Sequence, residues 1–163
     1  SVRNALKEQY SGIEENKADI LGLYMIGDLV KQKVLPQKAL MENYVTFAAG
    51  IFRSVRFGAA SSHGKANMAT FNYFVDKAAL TRDEKTGYYT VNERAMRQAI
   101  KNLSHEILVI QGNGDYEAAL KRATEKGIIS ETLKKDLKRI DDKRIPRDLN
   151  FIQGPSEIGL SKF

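Results

Sequence analysis

The sequence predicts a mainly α-helical, bundle-like domain with one small β-hairpin near residues 81–91. Three observations carry that reading. Apolar residues recur at intervals of three and four along most of the chain, cap residues stand at several helix starts with glycines beyond the ends, and the pattern changes once, between Thr81 and Val91.

Taken in order, a first long helix is expected from about Val2 to Lys33, broken near Ser11-Gly12. Pro36 suits the first turn of a second helix, whose face of Leu40, Tyr44, Phe47, Ala48 and Ile51 has the helical repeat, and Gly58 ends it. Ser61 or Ser62 caps a third helix carrying Ala66, Ala69, Phe71, Phe74, Val75 and Ala78. Lys85-Thr86-Gly87 is turn-like and Tyr88 to Val91 is a run of strand formers, hence the hairpin. Asn92 caps the next helix, through Met96, Ile100, Leu103 and Ile107 to Gly112. Asp115 opens another that ends at Gly127, Ser130 opens the last, and Pro146 stops it. The glycines and proline from Asn150 to Phe163 predict an extended or poorly ordered tail. The expected division is thus a helical domain over 1–150 and a tail over 151–163.

Composition narrows the function classes. A chain of 163 residues with 42% apolar and 28% charged residues is the size and make-up of one globular domain. No cysteine is present, which excludes disulfides and thiolate metal sites and suits a reducing, cytoplasmic setting. Histidine and carboxylate are the metal ligands left. The stretch from Ile20 to Val30 is interrupted by Gly27 and Asp28, so no membrane-spanning segment is expected. The sequence opens at Ser1 without an initiator methionine or a signal-peptide pattern, as expected of a piece of a longer protein.

The net charge of +6 raises a second function class, a noncatalytic helical module that binds nucleic acid or an acidic partner through Lys134, Lys135, Lys138, Arg139, Lys143, Arg144 and Arg147. Those residues are interleaved with Asp136, Asp141, Asp142 and Asp148, the pattern of a solvated helix face. Tyr44, Phe47, Phe71 and Phe74 fall at core spacing and not between basic residues. Nucleic acid is therefore not an expected partner.

The chemistry-bearing stretch is Glu14-Glu15-Asn16-Lys17-Ala18-Asp19, three carboxylates at the head of a largely apolar helix. Buried acids need partners, because an unpaired ion out of water costs several kcal/mol. Glu15 and Asp19, four apart, emerge from one helical face, and Glu14 points about a hundred degrees away. A metal-ligating carboxylate and an acid that orients a ligating imidazole would fit this spacing. So would solvated acids favouring the helix dipole and pairing with Lys17 or Arg3.

The hexad followed by Gly22-Leu23-Tyr24 resembles the Glu-Glu-x-[Arg/Lys]-Ala-[Glu/Asp] motif of the dipeptidyl peptidase III family of zinc metallopeptidases. Tyr44-Val45, Ala49-Gly50-Ile51, the His63 helix with Ala66, the hairpin, Gly112 with Asp115 and Ile145-Pro146-Arg147 have counterparts in the same order. The resemblance implies the C-terminal part of a catalytic domain, from the bacterial branch. It implies that Glu15 is a zinc ligand, that Glu14 and Asp19 steady the metal-bound histidines, and that His63 contacts substrate near the scissile bond. The two histidine ligands and the general base belong to a His-Glu-x-x-Gly-His helix that this chain lacks, so the chain alone is expected to be inactive and without zinc. Its implied partners are the N-terminal remainder of the same protein and a peptide substrate.

Departures from the pattern matter too. Asn67 stands where the family has an arginine, Asn16 where it has a cysteine, and the segment before His63 is short and rich in small residues. That segment looks closer to bacterial relatives, some joined to a Nudix-type pyrophosphatase domain, so the C-terminal part of a Nudix-fused hydrolase is a further alternative. On the residues alone, His63 reads as a capping histidine in the first turn after Ser61-Ser62, and the substrate role comes from the resemblance. His105 is given no role. Gly112-Asn113-Gly114 follows no strand and is no phosphate loop, and Ser62-His63 lies in no nucleophile elbow. The basic-module alternative is checked by salt: affinity for DNA or RNA must fall steeply from 50 to 200 mM salt if phosphates are bound, on the order of a thousandfold for six contacts.

Overall fold

The computed structural model describes residues 1–58, 62–148 and 154, with Ser62 described in its backbone alone. Helix α1 (Val2–Leu6) and a 3-10 turn (Lys7–Gln9) lead into α2 (Tyr10–Lys31). Then come α3 (Lys38–Val55), α4 (Ser62–Asp76), strands β1 (Leu80–Arg82) and β2 (Tyr89–Val91), α5 (Glu93–Asn113), α6 (Tyr116–Lys126) and α7 (Glu131–Asp142). The fold is mainly α, with one two-stranded antiparallel sheet.

Helix α2 is the hub, packed against α5, α4 and α3. Its buried stripe, Ile13, Asn16, Ile20, Leu23 and Val30, meets a core that includes Leu40, Tyr44 and Ile51 of α3, Met68, Phe71 and Phe74 of α4, and Met96, Ile100, Leu103 and Ile107 of α5. Each stripe repeats at three and four residues, as apolar faces on neighbouring helices must if they are to leave water together. The expected face of the second helix is buried at Leu40, Tyr44, Ala48 and Ile51, with Phe47 at its margin.

Caps place the helix starts. Asn92, Asp115 and Ser130 each accept a hydrogen bond from the backbone N–H three residues on, at 3.0–3.1 Å. The α5 end lies beyond Gly112: the helix runs to Asn113, and Gly114 turns left-handed at φ 62°. A Cβ at Gly114 would stand 2.7 Å from that of Ala5, so this glycine also lets α1 dock.

The first helix breaks at Lys7 (φ 49°) and not at Ser11-Gly12. Contacts made by that turn account for the shift: Leu6 is fully buried, Lys7 sits over the Tyr116 ring, and the Tyr116 hydroxyl donates to Glu8. The acids of the hexad therefore lie in the second and third turns of α2 rather than at its head. A cap from the Ser61 or Ser62 side chain and the expected tail, Gly154 apart, lie outside the described residues.

The hairpin pairs Leu80 with Val91 and Arg82 with Tyr89. Asp83 organises its turn, accepting from the N–H groups of Lys85 and Thr86 at 2.9 and 2.7 Å. Helix α7 then clamps it. Asp136, 4% exposed, accepts from Arg82 at 2.7 and 3.0 Å and from the Tyr89 hydroxyl at 2.9 Å, while Arg139 donates to the carbonyls of Thr86 and Gly87. Those donors, Arg82 above all, hold the Asp136 carboxyl below its ordinary value.

Replacing Asp136 with Asn removes the buried charge partner of Arg82, leaving it only the exposed Glu84, and is expected to lower stability by about 3 kcal/mol in urea unfolding at pH 7. A depressed carboxylate contributes stability above its unfolded value, near pH 4, that is lost as pH falls through the folded value. The deficit should accordingly shrink below about pH 4.

Candidate functional site

Glu15 and Asp19 lie one turn apart on α2, on a face adjoining the N-terminal turn of α4, where His63 stands. His63 Nδ1 is 3.4 Å from Glu15 Oε2, and both side chains are 53% exposed. Asp19 is more enclosed. Burial, the largest effect, raises its carboxyl above the ordinary range, while His63 works against that shift and Glu15 with it. The structure thus brings Glu15, Asp19 and His63 together at one place.

Glu14 is turned away from them. It pairs with Lys17 at 2.9 Å and accepts from the Gln111 amide of α5. The hydrogen bond from Lys17 is the main cause that lowers its carboxyl below the usual value. His105 is exposed on α5.

Asp19 and His63 open onto a groove of about 410 Å³ whose wall is the C-terminal half of α3. Phe47 and Phe57 contribute apolar surface, Arg53 a cation, and Asn67, 5% exposed, donates to Ser54 Oγ at 2.7 Å. A second cavity, of about 230 Å³, lies along a different face of α2, beside Gly12, Asn16 and Arg122.

Glu15 offers an exposed carboxylate, the hard oxygen donor that zinc accepts. No cluster of three or more histidines or acids that could hold a metal occurs among the described residues. A catalytic zinc ordinarily takes three protein ligands, and a carboxylate such as that of Glu15 is of the kind that can serve as one.

Two residues carry more than the sequence indicated. Asn16, 2% exposed, donates to Thr70 Oγ1 at 2.6 Å and accepts from Arg122 at 3.1 Å. Arg122, itself 7% exposed, also donates to Glu106 at 2.9 Å. A signal was present: Asn16 falls on the apolar stripe of Ile13, Ile20 and Leu23, where a polar residue must be satisfied inside the protein. Arg122, on the polar-looking α6, gave none.

No family model matches the chain. Among solved structures it is similar to the DPP III of Caldithrix abyssi, at 35% identity and a TM-score of 0.90 over 98% of this chain. It matches a dipeptidyl peptidase III-like C-terminal part. The dipeptidyl-peptidase III of Corallococcus sp. strain EGB agrees, at 31% identity and a TM-score of 0.88 over 99% of the chain. Among curated proteins, Nudix hydrolase 3 of Arabidopsis thaliana is 37% identical over 150 residues, 92% of this chain. The chain spans 30% of each dipeptidyl peptidase III chain and 19% of the plant protein. Among the described residues, no helix is long and apolar enough to cross a membrane.

Because Asp19 lies in a place that favours its neutral form, Asp19→Asn is expected to stabilise the protein at pH 7 by about 0.5 kcal/mol. A raised carboxyl value means stability falls as pH rises from the unfolded value near 4 through the folded one, so the gain should vanish at about pH 3. Urea unfolding at the two pH values checks both; a loss of stability at pH 7 would mean that favourable contacts outweigh desolvation.

Proposed function

We propose that this chain is part of a bacterial, cytoplasmic, zinc-dependent exopeptidase of the dipeptidyl peptidase III kind, acting with the N-terminal remainder of the same protein on a peptide substrate. The observation that carries the reading is the meeting of Glu15 with His63, which lines one groove together with Asp19, in a chain whose fold matches such peptidases. Glu15 would hold the metal, and when bound zinc supplies Lewis acidity toward the scissile carbonyl. Asp19 would orient an imidazole from outside this chain, and Glu14 would do so only beside the bonds it already accepts from Lys17 and Gln111. With Nδ1 of His63 turned to Glu15, Nε2 is the nitrogen left to donate to a substrate oxygen that gains negative charge.

The plant relative favours a second reading, in which the same peptidase-like part is joined to a Nudix hydrolase. Hydrolysis of nucleoside diphosphate derivatives by the complete protein distinguishes it.

Zinc content and dipeptide release test the peptidase reading. The complete protein should carry one zinc and release dipeptides, the chain alone should do neither, and Glu15→Gln should abolish both properties. Glu14→Gln or Asp19→Asn should weaken zinc retention about 10- to 100-fold. Tight one-to-one zinc on this chain by itself would sink the assignment.

A further inference from the structure

Arg53 and Arg56 leave the C-terminal turns of α3 within one turn of each other, yet their circumstances differ. Arg56, with a side chain 5% exposed, is committed to structure: it donates to Asp141 and to the carbonyls of Ile145 and Pro146. Arg53 is on the groove beside His63. Its side chain is 59% exposed and is held by Asp148, itself 54% exposed, at 2.5 Å. An ion pair so open to water contributes little to stability and exchanges readily for another carboxylate. The guanidinium also stacks over the Phe57 ring, 5.7 Å from its centroid, which orients the planar donor fork.

The groove has the dimensions and composition to receive a side chain of a peptide. Its volume of about 410 Å³ is in the range of ligand sites, and Phe47, Ile51 and Phe57 offer hydrocarbon walls. Asn67 spends a donor on Ser54. Among the described lining residues Arg53 is the permanent cation, and the acid, Asp19, stands one turn from Glu15 at the catalytic end. A substrate carboxylate entering the groove therefore meets one strong, bidentate partner.

We propose that Arg53 is a specificity-determining residue, which binds an acidic side chain of the peptide close to the scissile bond and gives up Asp148 to do so. This rests on the peptidase reading. Selectivity is then set by exchange: Asp148 occupies the fork in the free protein and competes with the substrate, so removing either member moves selectivity in opposite directions.

The test uses the complete zinc-loaded protein and two peptides that differ only by Glu or Gln at one residue near the cleaved bond, placed in turn at each neighbouring position. In the wild type one position should show a higher kcat/KM for Glu. R53Q should lower that Glu-to-Gln ratio about tenfold, through KM, and R53K should restore part of it. D148N should raise the ratio. No Glu preference at any position, a ratio unmoved in R53Q and D148N, or equal losses on both peptides would overturn the assignment of Arg53 while leaving the peptidase reading intact. Absence of dipeptide release from the wild type on every peptide would sink the peptidase reading, and this inference with it.

Discussion

The rotation of α2 about its own axis is the constraint on which the site depends, and Asn16 fixes it. Its amide is spent on two buried partners from different helices, Thr70 of α4 and Arg122 of α6. Turning α2 would strand that amide and leave the Arg122 guanidinium short of an acceptor in a region shut off from water, and the penalty for unsatisfied buried groups exceeds what their bonds contribute on average. With Asn16 held inward, Glu15 and Asp19 must emerge toward α4, and His63 is the residue they meet. The polar anchor and the exposed acids are thus neighbours in sequence because one sets the bearing of the others.

Arginine clamps close the rest of the bundle where helices alone would leave seams. Arg82, pinned to Asp136, joins the hairpin to α7, and Arg56 joins the end of α3 to the segment after α7. Both use the planar fork, which satisfies two acceptors from one side chain and so fixes direction as well as distance. Much of the basic character of the C-terminal region is taken up in this way: Lys134, Lys138, Arg139 and Arg147 each lie in an ion pair with an acid of α7.

Local signals carried most of the fold into the sequence. Asn92, Asp115 and Ser130 were readable as helix starts because a cap needs one side chain and one N–H three residues away. The break at Lys7 was not readable, since it is set by Tyr116, more than a hundred residues on, whereas Gly12 stays helical despite its low propensity. For the site, the common face of Glu15 and Asp19 follows from helical spacing alone. Their nearness to His63 required the α2–α4 packing, and the roles expected of all three came from the family motif. Arg53 was missed because nothing local separates an arginine that braces a loop from one that borders a groove.

The approach of His63 to Glu15 is made between two helices and not within one, so it is only as well defined as the seam between them. A slip of α4 along α2 by one residue amounts to about 1.5 Å, enough to turn a contact into a gap. Substitutions deep in that seam would therefore open this contact well before they unfold the chain, so the separation of these two side chains is a sensitive gauge of how tightly the interior is packed.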